Sequence, residues 1–186
     1  MKLSILICSV PSRVKEYFPK LMEKLEPQLT KDVEVLWLGD NKKRSVGQKR
    51  NDLLALAQGQ YVTYVDDDDD ISEDYVKEIL HYIKHGGGVD VINFNVMCSV
   101  NGGDYKRVDY DARFKRDTDH ADHYRRIPNH IMCIRKDLAR QVGFPHKNMS
   151  EDSDFAKKLR PLIRSQAFIE KPLYYYTFSH QVSETQ

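Results

Sequence analysis

Five consecutive carboxylates, Asp66 to Asp70, stand directly behind the apolar, β-branched run Tyr61–Val65. Adjacent like charges repel, and at an effective dielectric of about 20 two charges roughly 5 Å apart cost on the order of 3 kcal/mol. A solvated tail escapes that cost, but Val65 ties this run to the core. A divalent cation relieves the repulsion. In an extended segment alternate side chains share a face, so the spacing predicts that Asp66, Asp68 and Asp70 point one way. Two carboxylates on one face can hold one hard cation and leave positions for water or phosphate oxygens. The alternative is a solvated acidic turn with Asp70 capping the next helix. A second acidic pair, Glu151 and Asp152, follows Ser150. A serine cap with acids in the first helical turn explains that pattern by the helix dipole alone, worth about 0.3–1 kcal/mol.

The elements that must position these groups alternate in type. Leu3–Ser9 reads as a strand, and Val14, Phe18, Leu21, Met22 and Leu25 recur at helical spacing. Val33–Leu38 is a second strand, closed by Gly39-Asp40-Asn41. Ser45 can cap a helix bearing Leu53, Leu54, Leu56 and Ala57, ended by Gly59. Tyr61–Val65 is the third strand. Ser72 can cap a helix bearing Val76, Ile79, Leu80 and Ile83, stopped at Gly86-Gly87-Gly88. This order implies a parallel sheet with right-handed crossovers. Ligands bind beyond the carboxyl ends of such strands. Ser9-Val10-Pro11, Gly39-Asp40 and the aspartates should therefore line one crevice.

The second half is less regular. Val89–Val100 is a long strand that turns at Asn101-Gly102-Gly103 into Tyr105–Tyr110, a hairpin. Arg113–Arg126 is polar and reads as a loop. Ile131–Arg135 is a short strand, Lys136–Val142 and Glu151–Arg160 are helices, and Phe168–Phe178 is an aromatic strand before a polar tail. No repeat or linker divides the 186 residues, so one domain is expected.

Composition narrows the function classes. Lys and Arg total 29 against 28 Asp and Glu, a net charge of +1, which is not the balance of a strongly basic nucleic-acid binder. No apolar run reaches the roughly 20 residues of a membrane helix, and the N-terminal MKLSILICSVPSR is expected to be a buried strand rather than a signal peptide. Cys8, Cys98 and Cys133 are widely spaced in apolar surroundings, neither a disulfide framework nor a zinc site. A cytoplasmic location is the expectation, and there the sequon Asn148-Met149-Ser150 has no meaning.

Six segments together resemble the GT-A glycosyltransferases, specifically the large family 2 of inverting enzymes. They are ILICSVPSR after the first strand, the acidic turn Gly39-Asp40-Asn41 after the second, and Gly47-Gln48-Lys49-Arg50-Asn51 as a G-x-x-R-N segment. Next come Ala57-Gln58-Gly59-Gln60-Tyr61 leading into the D-x-D of Asp66-Asp67-Asp68, then Ser150-Glu151-Asp152, and finally His180 after the last aromatic strand. Each is weak alone, but the order covers most of the chain. The resemblance is poorest between Tyr105 and Arg126, where that family varies with acceptor. It implies a single GT-A (Rossmann-like) α/β domain, with a central, mostly parallel sheet flanked by helices and a small antiparallel hairpin part. Residues 1–100 would form the nucleotide-sugar half and 101–186 the acceptor and catalytic half.

The resemblance also implies roles. The donor would be a nucleotide-diphosphate sugar, usually a UDP-sugar, with Mn²⁺ or Mg²⁺ on its diphosphate. Asp68 is the first metal ligand expected, Asp66 lies near the ribose or a metal-bound water, Asp67 belongs to the same donor-binding run, and His180 is a further ligand or a plain tail histidine. Asp40 would accept the uracil N–H or be a simple turn residue, while Ser9 and Pro11 present backbone to the base. Arg13, Lys49 and Arg50 would face the diphosphate, aided by a helix N-terminus. Asp152 would take the acceptor's proton, with Glu151 beside it holding an acceptor hydroxyl or acting as base itself. His130 would touch sugar or acceptor, or be a buried, satisfied histidine. The acceptor is open among glycan, protein side chain and modified nucleobase, as is the oligomeric state. Two other readings compete. A nucleotidyltransferase usually has a Gly-rich loop after the first strand, and CSVPSR holds no glycine. A non-catalytic sugar- or metal-binding module would be expected to lack some of the catalytic positions filled here.

Overall fold

The computed structural model describes residues 1–178. Strand β1 (Leu3–Ser9) leads into two short helices, α1 (Pro11–Val14) and α2 (Phe18–Leu25), where apolar spacing predicts one. Pro19 is the reason: its ring cannot follow an unbroken helical turn, so the helix restarts with the proline in its first turn. β2 (Val33–Gly39) precedes α3 (Val46–Leu56). Ser45 and Gln48 close a reciprocal capping box on α3, each side chain accepting from the other's backbone N–H. β3 (Tyr61–Tyr64) and β4 (Asp70–Ile71) flank the aspartates, and α4 (Tyr75–His85) follows. Ser72 does not cap α4. Asp74 holds that position, and the Ser72 hydroxyl instead donates to the Asp74 carboxylate at 2.9 Å.

The remainder comprises β5 (Val91–Val100), β6 (Lys106–Tyr110), β7 (Thr118–Asp119), β8 (His123–Arg126), β9 (Cys133–Arg135), α5 (Lys136–Val142), α6 (Glu151–Leu159) and β10 (Gln166–Phe178). The sheet runs β2-β1-β3-β9-β5-β6-β8-β7, with β10 alongside β5. β1 pairs parallel with β2 and β3. β9 is antiparallel to both β3 and β5, so β2, β1, β3, β5 and β10 all point one way. The β5–β6 pair is the antiparallel hairpin read from Asn101-Gly102-Gly103. Residues 113–126 are not wholly irregular. β8 pairs parallel with β6 and antiparallel with β7. Backbone pairing makes strands there of polar residues that carry no apolar alternation.

Leu3, Ile5, Leu6 and Ile7 of β1 are fully buried, the continuous apolar run of a strand covered on both faces. They join one core with Leu21, Leu25, Leu53, Ile79 and Phe155 from the helices. No helix among the described residues is long and apolar enough to cross a membrane. Cys8, Cys98 and Cys133 are free thiols.

Candidate active site

The five aspartates do not form an extended, one-sided row. The chain turns after Val65, with the Asp69 N–H donating to the Asp66 carbonyl at 3.1 Å, and each carboxylate finds a different partner. Asp66 accepts from Arg50 at 3.0 Å and lies 3.3 Å from His130 Nε2. Asp67 is buried, bonded to the Ser9 hydroxyl and 2.9 Å from Arg13. Asp68 is also paired with Arg13. Asp69 is buried and accepts from the Tyr174 hydroxyl at 2.6 Å, while that same oxygen accepts from the Asp66 N–H at 3.1 Å. Asp70 does not cap the next helix. It turns outward to Lys24 at 2.5 Å and joins β4 beside β10. Two arginines, a lysine and a histidine thus answer Asp66, Asp67, Asp68 and Asp70 within the protein, while Asp69 meets only hydroxyl and backbone groups.

The electrostatics follow this geometry. Burial alone would raise the Asp66 carboxyl, but Arg50 and His130 hold it well below the usual range. Burial pushes Asp67 up to about 6 despite Ser9 and Arg13. Burial, with the charges of Asp66 and Asp68 beside it, pushes Asp69 far up.

Arg50 ties this run to α6. Its guanidinium is buried, reaches Glu151 at 3.4 Å as well as Asp66, and lies over the rings of Tyr64 and Phe144. Burial raises the Glu151 carboxyl, with Arg50 opposing. The adjacent motif residues hold the approach to α6. Asn51 donates to the Phe144 carbonyl and accepts from its N–H, both at 2.8 Å. The Gly47 N–H donates to the Lys147 carbonyl at 3.2 Å, and a Cβ on Gly47 would fall 1.9 Å from the Pro145 carbonyl oxygen. Only glycine lets these two backbones pass. Ser150 holds the N-cap position of α6 at φ +58° without a side-chain cap, and Glu151, Asp152 and Asp154 fill the first turn, so the dipole account of these acids stands while the serine hydroxyl plays no part in it. A non-glycine residue there is strained, and such strain persists where surrounding contacts over-determine it.

A cleft of about 390 Å³ opens where these groups meet, lined by Ser9, Arg13, Lys49, Arg50, Asp66, Asp67, Asp68, His130, Glu151 and Asp152. It lies beyond the carboxyl ends of β1 and β3. Lys49 and Arg50 do not present free cations to it: Lys49 is buried and donates to the Ser9 carbonyl at 2.9 Å, 3.8 Å from Asp40. Asp40 sits next to that lysine with one carboxylate oxygen accepting from the Arg44 N–H at 3.2 Å, and it is not among the residues that line the cleft. Pro11 is exposed at the start of α1, outside the lining. His180 lies outside the described residues. A larger concavity of about 750 Å³ between α2 and α4 gathers no comparable set.

Asp66, Asp67 and Asp68 offer only carboxylate oxygens, the donor chemistry suited to Mg²⁺ or Mn²⁺. Among the described residues no group of three or more His, Cys, Asp or Glu is arranged to hold a metal ion. Asp66 and Asp68, each already paired with an arginine, could hold such an ion only together with ligands from outside the protein. The contact between Tyr174 and Asp69 has no local signal in the sequence. Tyr174 lies 105 residues from Asp69, and only the β10–β4 pairing brings them together.

Residues 7–143 match the family model described as Glycosyl transferase family 2. The fold also resembles solved structures of S. aureus TarS. Residues 1–349 in complex with UDP match at a TM-score of 0.74 and 21% identity, over 96% of this chain and 61% of that one. The same fragment in complex with UDP-GlcNAc matches at 0.71 and 19%, over 96% and 59%. A further TarS structure matches at 0.71 and 19%, over 96% of this chain and 37% of that one. This chain thus spans at most about three-fifths of the TarS chains it matches. No curated protein matches it at a significant level.

Proposed function

The chain belongs to glycosyl transferase family 2, and from that membership we propose that it moves a hexose from a nucleotide-diphosphate sugar to an acceptor hydroxyl by a metal-dependent, inverting displacement. The carrying observation is the cleft in which Asp66, Asp68, Glu151 and Asp152 converge at the ends of parallel strands. The TarS structures holding UDP and UDP-GlcNAc support a UDP-sugar as donor.

Asp152 is the base in this reading. Glu151 is buried against Arg50, whereas Asp152 is half-buried and borders both the cleft and the compartment behind it. The Asp152 carboxylate takes the proton as the acceptor oxygen bonds to the anomeric carbon, and the bond from that carbon to the diphosphate breaks. Attack from the face opposite the leaving group inverts the centre. Asp68 and Asp66 would hold a divalent cation, which would supply positive charge for the departing diphosphate. Arg13, already paired with Asp67 and Asp68, fixes the position of those carboxylates. His130 orients Asp66.

The test is a panel of nucleotide sugars scored for release of nucleoside diphosphate with and without Mn²⁺. Metal-dependent release from one donor is expected. Asp152→Asn should bind UDP as the parent does and lose transfer by about 10²–10⁴-fold. Equal turnover by the variant removes the base assignment, and no release from any donor removes the function.

A further inference from the structure

Behind the donor cleft lies a second compartment of about 540 Å³, and the two share Asp66, His130, Asp152, Tyr176 and Phe178. We propose that this compartment takes an uncharged sugar as acceptor and turns away anionic ones, because Arg126, the one arginine among the described residues of its lining, is already engaged by Asp119 at its rim. The inference rests on the glycosyl-transfer reading above and names the acceptor class for that site.

Three observations carry it. The first is position: Asp152 belongs to both spaces, so a hydroxyl held in the second compartment reaches the carboxylate assigned as base. The second is charge. Among the described residues Arg126 is the only Lys or Arg lining the compartment. Its guanidinium is 2.7 Å from the Asp119 carboxylate, donates to the Thr118 carbonyl at 3.1 Å and lies over the Tyr124 ring. Asp117, Asp119 and Asp152 add carboxylates to the same lining. A phosphate or uronate would have to displace Asp119 from Arg126 and then lie among like charges, the juxtaposition that excludes a wrong ligand. The third is chemistry that suits a polyol. Tyr110 and Tyr176 bring aromatic rings to the lining, a surface suited to the apolar side of a sugar ring. His130 and Asp69 both line the space and are more than nine-tenths buried, and His130 Nδ1 has no hydrogen-bond partner among the described residues. Buried polar atoms of this kind are expected to meet a ligand or water, and sugar hydroxyls can both donate to and accept from them.

The experiment is saturation-transfer NMR on the whole chain with UDP and Mn²⁺ present. The probes are neutral methyl glycosides set against the matching methyl uronides and sugar 6-phosphates. At least one neutral glycoside should bind at least about tenfold more tightly than its anionic counterparts. Asp119→Asn, at a site 71% exposed in its side chain, frees Arg126 and should narrow that ratio severalfold. Anionic probes binding as well as neutral ones, no contact from any sugar, or an unchanged ratio in Asp119→Asn would each overturn the inference. Failure of the nucleotide-sugar panel would sink glycosyl transfer itself, and this binding comparison still decides the charge preference of the compartment.

Discussion

Replacing Arg50 by methionine removes the arginine that, among the described residues, is ion-paired with both Asp66 and Glu151. At 3.0 and 3.4 Å the two pairs are each worth about 5 kcal/mol of Coulomb attraction at an effective dielectric of ~20, most of it offset by desolvation. Breaking a buried pair by deleting one partner leaves the other charge uncompensated and costs about 3–5 kcal/mol. His130 still faces Asp66, which keeps the loss within that range. Against a typical total of ~5–15 kcal/mol this is a severe variant. Arg50→Lys keeps the charge without the fork, reaches only one carboxylate and should lose about 1.5–3 kcal/mol. The deficit has a pH signature. In the parent Asp66 is held low, so its stabilisation is present above its unfolded value and is lost only as pH falls through the depressed folded value. In Arg50→Met burial acts unopposed by the arginine on Asp66 and Glu151, both rise, and protonation relieves them. The difference from the parent should therefore be largest near pH 7 and shrink in acid. Urea unfolding followed by the fluorescence of Trp37, the single tryptophan, at pH 7 and pH 4.5 measures it. A loss below about 1 kcal/mol at pH 7, or one that does not change with pH, refutes the bridging role.

Gly47→Ala must push apart α3 and the 145–147 backbone. Overpacking of this kind costs about 1–3 kcal/mol, and thermal melts should show Tm falling by about 2–4 °C per kcal/mol. Glu151 has a raised folded pKa, so the folded state binds the extra proton and the parent should lose stability as pH rises from the ordinary glutamate value through the raised one. Glu151→Gln should lose less stability than the parent across that window, Asp67 and Asp69 still contributing their share, as chemical denaturation at several pH values will show. Burial pushes the Cys8 thiol up to about 12, and burial raises Cys98 and Cys133 as well. A disulfide reagent at pH 8 should then label the native protein far more slowly than the urea-unfolded chain, and equal rates would contradict the burial.

The parts of this protein visible in its sequence are those set by neighbours along the chain. The Ser45–Gln48 capping box spans three residues, the Gly86 stop ends one helix, and the apolar run of β1 needs only its own side chains to declare a buried strand. The β-α alternation then orders the sheet, and the acidic end of β3 marks the cleft. What each acid does there was decided by residues far away in sequence. Arg50 is 16 positions before Asp66, Ser9 is 58 before Asp67, and Tyr174 is 105 after Asp69. Strand periodicity placed Asp66, Asp68 and Asp70 on one face, but the turn after Val65 scattered them. The motif cations Lys49 and Arg50 read as facing a diphosphate; both line the cleft, and folding also buried them against protein oxygens. Charge in a string of residues says only that a partner is needed. Which partner supplies it depends on which strands lie side by side, and that is fixed by tertiary packing.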